Sequence, residues 1–589
     1  MIKICHQCDQ NFEITRPTEQ SFGRADDDLK FYEKVSPIFE GKKYLIPAPS
    51  LCPDCRLQRR LTSRNDRNFY KRKCDFSGKE IISMYKPNQN LKVYDHEIWW
   101  SDKWPARSDH SGGEATEYAQ KYNFNQSFFE QLSKLICNVP HPNVIQLGNE
   151  NSLYTNFTAW NKNCYICSAG NKLEDSAYCY NVQESKDCFD CLNLLYCELC
   201  YQTIHCENCY KLYFSPHSKN CQESYFLEDC IGCSHCLLCS NLQHKEYCIL
   251  NKQYTKEEYL KKIQEYKLNT YDGIINAFNI WQKERIKYPK KANHNIFAEN
   301  CTGEYISHSK NCENCYLIHK NNEDCKHIFA GFPNLKDSYD CIYTGEEAEL
   351  IYEGMCSGDG TLKCAFVQVV VTGSADIYYG DYLINCQYCF GCSGLKNKKY
   401  CILNKQYTKE EYEKLVPKII EHMIKTGEWG EFFPSSISPF GYNETVAQEY
   451  FPLTKEEALT KRFKWSDYEP EFPKVEKIIP ANLLPDTINE IPDDILNWAI
   501  LPVDMPCQGI STNRPFKIIA PELKFYREQN LPIPHLHPDE RHKQRMELRN
   551  PRKLWKRNCM KCNAEIQTTY SPDRKEIVYC DQCYLKEVY

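Results

Sequence analysis

From Cys164 to Cys248 fifteen cysteines recur in units of Asp or Asn, or an aromatic or His, followed by Cys/Ser-x2-Cys/Ser. The first Cys/Ser of each unit falls at 164, 176, 188, 197, 206, 221 and 230, so two units span about 22 residues. A second array, from about residue 300 to 401, has corresponding positions at 301, 312, 325 and 338. Units this short cannot bury a face alone and must stack on their neighbours. Rich in Cys, Tyr and Asn and poor in helix signals, they predict a β-solenoid with stacked ladders of equivalent side chains, each coil contributing two or three short strands.

Both arrays end the same way. Tyr247–Tyr259 reads YCILNKQYTKEEY, and Tyr400–Tyr412 repeats all thirteen residues at an offset of 153. Thr255/Glu258 and Thr408/Glu411 have the Ser/Thr-x-x-Glu spacing of a capping box, so each array is closed by a helix. Pro417 is expected to kink or shorten the second copy.

The ladder cysteines have two readings. Adjacent pairs can chelate zinc or iron–sulfur clusters, or Cys can serve as a small apolar residue filling a narrow interior. Ser176, Ser224, Ser338, Glu304 and Ile328 interrupt the pattern, which a packing position tolerates better than a ligand position. Cys233, Cys236 and Cys239, matched by Cys386, Cys389 and Cys392, are the best additional metal candidates.

The chain has 589 residues, 37 cysteines, 13% aromatics and a net charge of −6. With a mean hydropathy of −0.65, this composition fits a folded, water-soluble, multidomain protein. No apolar run approaches a membrane span, and MIKICHQC lacks the apolar core of a signal peptide. A cytoplasmic setting is expected, with thiols bound to metal or buried rather than in disulfides.

Metal motifs mark both ends. Cys5-x2-Cys8 and Cys52-x2-Cys55 supply four thiolates, as do Cys559-x2-Cys562 and Cys580-x2-Cys583. Each set is the closed tetrahedral complement of a structural Zn2+ site, so at least two zinc ions are expected. Residues 5 to 56, with Phe12-Glu13-Ile14, Phe31-Tyr32 and a closing Cys-x2-Cys-Arg, resemble a zinc-ribbon family, although the stretch from Tyr32 to Pro47 is longer than its pattern. The closing segment, with Pro572-Asp573-Arg574 and Val578 to Cys583, resembles a second short zinc-ribbon family. Nearly the whole chain resembles a family of large cysteine-rich proteins of unassigned function from small-genome candidate bacterial phyla. That resemblance implies zinc ribbons and carries no reaction.

A basic segment follows the first motif: Arg56, Arg59, Arg60, Arg64, Arg67, Lys71, Arg72 and Lys73 against one acid, Asp66. Residues 516–541 echo the N-terminus, with Phe516-Lys-Ile-Ile, Phe525-Tyr526 and a knuckle in which His537 and Glu540 replace the cysteines. With only Cys507 upstream, this copy reads as metal-free. It keeps the basic segment, as Arg541, Lys543, Arg545, Arg549, Arg552, Lys553, Lys556 and Arg557. Such segments suit phosphate binding, or form solvated helix faces. Trp99, Trp100, Trp104 and the Asp95-His96-Glu97 triplet read as core or surface rather than as base-stacking or acid–base groups.

These readings give a mostly β chain with helical connectors, zinc ribbons flanking two duplicated cysteine-rich, β-solenoid-like arrays. The expected domains are 1–75 (ribbon and basic segment), 76–149 (α/β), 150–248 (first array), 249–298 (helical connector), 299–401 (second array), 402–500 (helix and Pro-rich linker), 501–550 (degenerate ribbon) and 551–589 (C-terminal ribbon). The expected function is non-enzymatic: zinc-stabilised binding of nucleic acid, RNA, DNA or a ribonucleoprotein, through the basic segments. The alternatives are a scaffold binding protein partners on the array faces, and an iron–sulfur or thiol redox protein.

Overall fold

The computed structural model describes residues 1–15, 28–104, 118–470, 472–503 and 514–588. Cys507 lies outside them. Among the described residues are twelve α-helices and many short strands.

In the first array the chain pairs with itself in parallel every twelve residues. One ladder runs Glu150, Lys162, Glu174, Lys186, Glu198, Tyr210, Gln222, Ser234, Glu246. Every third residue has a left-handed backbone, as at Asn163, Ile166, Ala169, Lys172 and Asp175. A lap therefore consists of three-residue sides: one residue inward, one in the ladder, one at the left-handed corner. Asn and Asp tolerate that conformation best, which explains why they so often stand immediately before the cysteines. Most corner N–H groups also reach a carbonyl of the previous lap, as Asn163 N to Glu150 O and Asp175 N to Lys162 O, both 3.0 Å. The repeat is thus shorter than the 22-residue spacing expected, because a corner at every third residue turns the chain before an ordinary strand can form.

The second array uses thirteen-residue steps from Lys310 through Glu323, Lys336, Glu349 and Leu362 to Ala375, then twelve to Gln387 and Lys399. The extra residue is absorbed by paired left-handed positions, such as Lys320–Asn321 and Thr372–Gly373.

The inward residues of both arrays are almost wholly buried. With so few residues per lap, little interior volume is left, and Cys, Ser, Thr, Leu and Val fill it. Cys188 Sγ donates to Lys186 O at 3.3 Å. Ser176 Oγ makes the equivalent bond to Glu174 O at 2.8 Å and accepts from Cys188 N. Serine thus replaces cysteine without stranding a polar group. Cys233, Cys236 and Cys239 spend their thiols on the carbonyls of Ile231, Ser234 and Leu237, and Cys386, Cys389 and Cys392 on those of Ile384, Gln387 and Phe390. Each triple lines successive sides of one lap. Among the described residues neither brings three ligand atoms together as a metal group, which corrects the expectation of a shared ion there.

Helices Lys256–Ile263 and Lys409–Thr426 close the arrays, both with formed capping boxes. The second runs through Pro417, since its apolar stripe of Val416, Ile419, Ile420 and Met423 is buried. Tertiary packing overrides the helix-breaking residue there. Trp99 and Trp104 are core residues.

Each terminal module is seated on one array, in crossed fashion. The N-terminal module lies on the second array: Phe31 stacks on Tyr339 at 3.7 Å, and Tyr32 meets Tyr352 of the next lap. Its helix Pro53–Leu61 sends Arg56 to Asp340 at 2.8 Å, and Arg60 to Asp340 at 3.4 Å and Glu353 at 3.1 Å. The degenerate echo repeats this on the first array. Phe525 stacks on Phe189 at 4.3 Å and Tyr526 meets Tyr201. Helix Pro538–Leu548 sends Arg541 and Arg545 to Asp190, and Arg545 also to Gln202. Asp190 and Asp340 are left-handed corner residues. Burial disfavours the Asp340 carboxylate, but Arg56 and Arg60 outweigh that and hold its pKa below the usual range.

The arrays also meet each other, through Tyr180, Leu192 and Ile204 against Phe329, Ile342 and Tyr343. Arg64 lies between the rings of Phe157 and Tyr343, 3.9 and 4.0 Å from their centroids, with Nε donating to Asp66. His294 also bridges the arrays, with Nε2 2.9 Å from Asp229 and Nδ1 2.6 Å from Glu304. The region 402–500, expected as helix and Pro-rich linker, contributes Ala481, Leu484 and Ile488 to the core beneath the first array, and Lys477–Pro480 pairs with Trp498–Leu501. Its apolar residues find a surface that its acidic, Pro-rich composition conceals.

Two outcomes follow. Asp340→Ala leaves the buried Arg56 guanidinium without its carboxylate and Arg60 with Glu353 alone, so it should cost about 3–5 kcal/mol in a urea titration; a loss near that of an exposed pair, about 0–1 kcal/mol, would contradict the docking role. Burial alone would push the His294 pKa down, but Glu304 and Asp229 raise it to about 10. A raised pKa stabilises the fold below the unfolded value of about 6.5 and loses that contribution as pH climbs through the folded value. Stability should therefore fall between about pH 6.5 and 10, and His294→Gln should remove that part of the slope.

Candidate metal centres

Cys5 and Cys8 lie on a tight knuckle between strands Ile2–Ile4 and Asn11–Glu13. Asp9, left-handed at φ 57°, reverses the chain directly after Cys8, and its N–H bonds Cys5 O at 3.0 Å. Cys52 caps helix Pro53–Leu61 and Cys55 sits in its first turn, where the helix dipole favours thiolate. All four sulfurs lie within 4.8 Å of one another, and Cys8 and Cys52 are 3.7 Å apart. A tetrahedron with metal–sulfur bonds of about 2.3 Å has an edge of about 3.8 Å, so the sulfurs fit around one ion. A hydrogen bond from Cys55 brings Cys52 down to about 5, while the same bond raises Cys55.

The C-terminal cluster uses the same local chemistry. Cys559 and Cys562 occupy the knuckle of hairpin Trp555–Asn558/Glu565–Thr568, and Asn563 at φ 62° plays the part of Asp9. Cys580 follows strand Val578–Tyr579, and Cys583 lies in the first turn of helix Asp581–Val588. Cys562 and Cys580 are 3.7 Å apart, and Cys580 N donates to Cys559 Sγ at 3.3 Å. Burial would raise Cys559, but backbone donors at Cys562 and Cys580 outweigh it and bring it to about 6. Desolvation, then bonds with Cys562 and Cys580, push Cys583 up to about 12. Val578–Tyr579 pairs with Lys290–Lys291, and Tyr584 Oη donates to Asn241 at 2.9 Å, tying this cluster to the first array.

In the degenerate echo, His537 caps its helix through Nδ1, accepting from Asp539 N at 3.1 Å. Among the described residues it belongs to no group of three or more metal-binding atoms.

The basic segments require correction as phosphate-binding faces. Arg56, Arg60, Arg64, Arg541 and Arg545 are buried against carboxylates. Arg59 is committed to Glu353 and Glu431, Arg67 to Asp539, and Arg72 to Asp75. Arg549 packs over Tyr450, Arg552 over Phe329, and Arg557 donates to Ser571 O. Lys543 is half-buried, leaving Lys71, Lys73, Lys553 and Lys556 exposed. Sequence reading missed the acids that receive these arginines. A signal was present: Lys186-Asp-x-Phe-Asp190-Cys191 recurs as Lys336-Asp-x-Tyr-Asp340-Cys341.

Cys559→Ser should lower bound metal by one ion per chain and unfold the hairpin around residues 555–568, read as lost amide protection there. An unchanged metal content would remove the cluster as a binding site.

No family model matches the chain, and no curated protein matches it. Among solved structures, a "putative acetyltransferase from Desulfovibrio desulfuricans G20" aligns with 48% of this chain and 82% of its own at 10% identity and a TM-score of 0.11, too low to carry an argument. The two four-cysteine clusters remain the features that define this chain chemically.

Proposed function

We propose that the chain is a non-catalytic protein in which one Zn2+ at each end holds a ribbon, and in which two β-solenoid-like arrays form a scaffold for protein partners. The observation that carries the metal reading is the pair of four-sulfur clusters with 3.7 Å contacts, the spacing of a closed tetrathiolate site. The twelve- and thirteen-residue parallel ladders support the solenoid reading, because they expose long regular faces while hiding the thiols.

The scaffold reading gains over nucleic-acid binding from the fate of the arginines. A guanidinium already paired with a buried carboxylate cannot also release counterions from a phosphate backbone. Only the four exposed lysines keep the nucleic-acid reading in play, two on each basic segment.

Elemental analysis of freshly reduced protein should give two zinc ions per chain and no stoichiometric iron. Retention of RNA or DNA at about 100 mM salt, with a steep log–log dependence on salt, would overturn the scaffold reading. The expected result is no retention, and no change on replacing Lys71, Lys73, Lys553 and Lys556 with Gln.

A further inference from the structure

A cleft of about 750 Å³ opens between the first laps of the second array and the C-terminal hairpin. Cys301, Cys312, Asn314 and His327 line one wall, and Trp555 and Lys556 line the other. Most array cysteines are buried; Cys301 and Cys356 are only partly so. Cys356 is engaged by Arg64, whose Nη1 donates to its sulfur at 2.8 Å. Cys301 has a different neighbour: its sulfur accepts from the backbone N–H of Cys312 at 3.4 Å.

The two residues are stacked on successive laps, since Ala298 pairs with Ser309 and Glu299 with Lys310 in the same register. Adjacent strands lie about 4.8 Å apart, within the 4.4–6.8 Å between Cα atoms that a disulfide spans. Similar stacks run along the arrays, and this one ends in the cleft. We propose that Cys301 and Cys312 form a redox-active thiol pair that closes to a disulfide by exchange with a low-molecular-weight disulfide entering this cleft.

The exchange balances without another reactant. Cys301, as thiolate, attacks one sulfur of the small disulfide and expels a thiolate, which takes up the proton Cys301 released. Cys312 then loses its proton and attacks Cys301 Sγ, expelling the second thiolate, which is protonated in turn. Two protein thiols are oxidised and one small disulfide is reduced to two thiols. In the reduced pair the shared hydrogen bond lowers Cys312 and raises Cys301; once Cys301 carries the mixed disulfide that donor is gone, and the bonds from Cys315 and Cys325 remain to favour the Cys312 thiolate for the second step. The scaffold reading does not depend on this activity, nor this activity on the scaffold.

The test uses the full metal-loaded chain with glutathione disulfide, followed by alkylation, denaturation and peptide mapping by mass spectrometry. The wild type should yield a Cys301–Cys312 crosslink while the buried array cysteines are recovered as free thiols. Cys312→Ser should instead retain glutathione on Cys301, and Cys301→Ser should leave Cys312 unmodified. Recovery of both Cys301 and Cys312 as thiols from the wild type, or oxidation spread evenly along the array, would overturn the proposal. So would a glutathione adduct on wild-type Cys301 that never resolves.

Discussion

One buried aspartate in each array, paired with two arginines one helical turn apart, is the interaction on which the rest of this structure depends. Asp340 takes Arg56 and Arg60, and Asp190 takes Arg541 and Arg545. Breaking such a buried pair costs far more than an exposed one, because the charge left behind has no water to replace its partner. The pairing also imposes geometry. A guanidinium fork meets a carboxylate in few orientations, and the stacked Phe31–Tyr339 and Phe525–Phe189 rings fix the remaining freedom. The chain's two ends are thereby crossed over its two arrays.

The arrays can receive these modules because of their backbone. With a left-handed residue at every third position, outward side chains stand in regular columns, so Asp340 and Glu353, one lap apart, face Arg60 together. The same geometry narrows the interior, which selects Cys and Ser for volume rather than for reactivity. The cysteines thus fall into two classes: two four-sulfur groups with the geometry to hold an ion, and lap thiols that pack the interior. The four-sulfur groups are built where a knuckle and a helix start converge; within the laps each thiol is turned toward a carbonyl.

Much of this was legible. The knuckle spacings named the residues of the two four-cysteine groups, Thr255 and Thr408 named the helix starts, and the Phe-Tyr echo at Phe525-Tyr526 announced a duplicated module. What escaped was where that module goes. Arg56 and Arg60 at helical spacing read equally well as part of a phosphate-binding stripe, because sequence shows a charge but not the acid that meets it from about 280 residues away in the chain. Lap length also escaped, since Cys/Ser units spaced 9, 12 or 15 residues apart share a period of three that emerges only once the corners are seen to be left-handed.

The central claim is that the basic segments are internal tethers, and a double-mutant cycle between Arg56 and Asp340 tests it most directly. Urea unfolding of Arg56→Ala, Asp340→Ala and the double variant gives the coupling energy, freed from the other effects of each change. A buried tether predicts a coupling toward the upper end of the usual range of about 0.5–3 kcal/mol. A coupling indistinguishable from zero, with the two losses simply adding, would contradict the account.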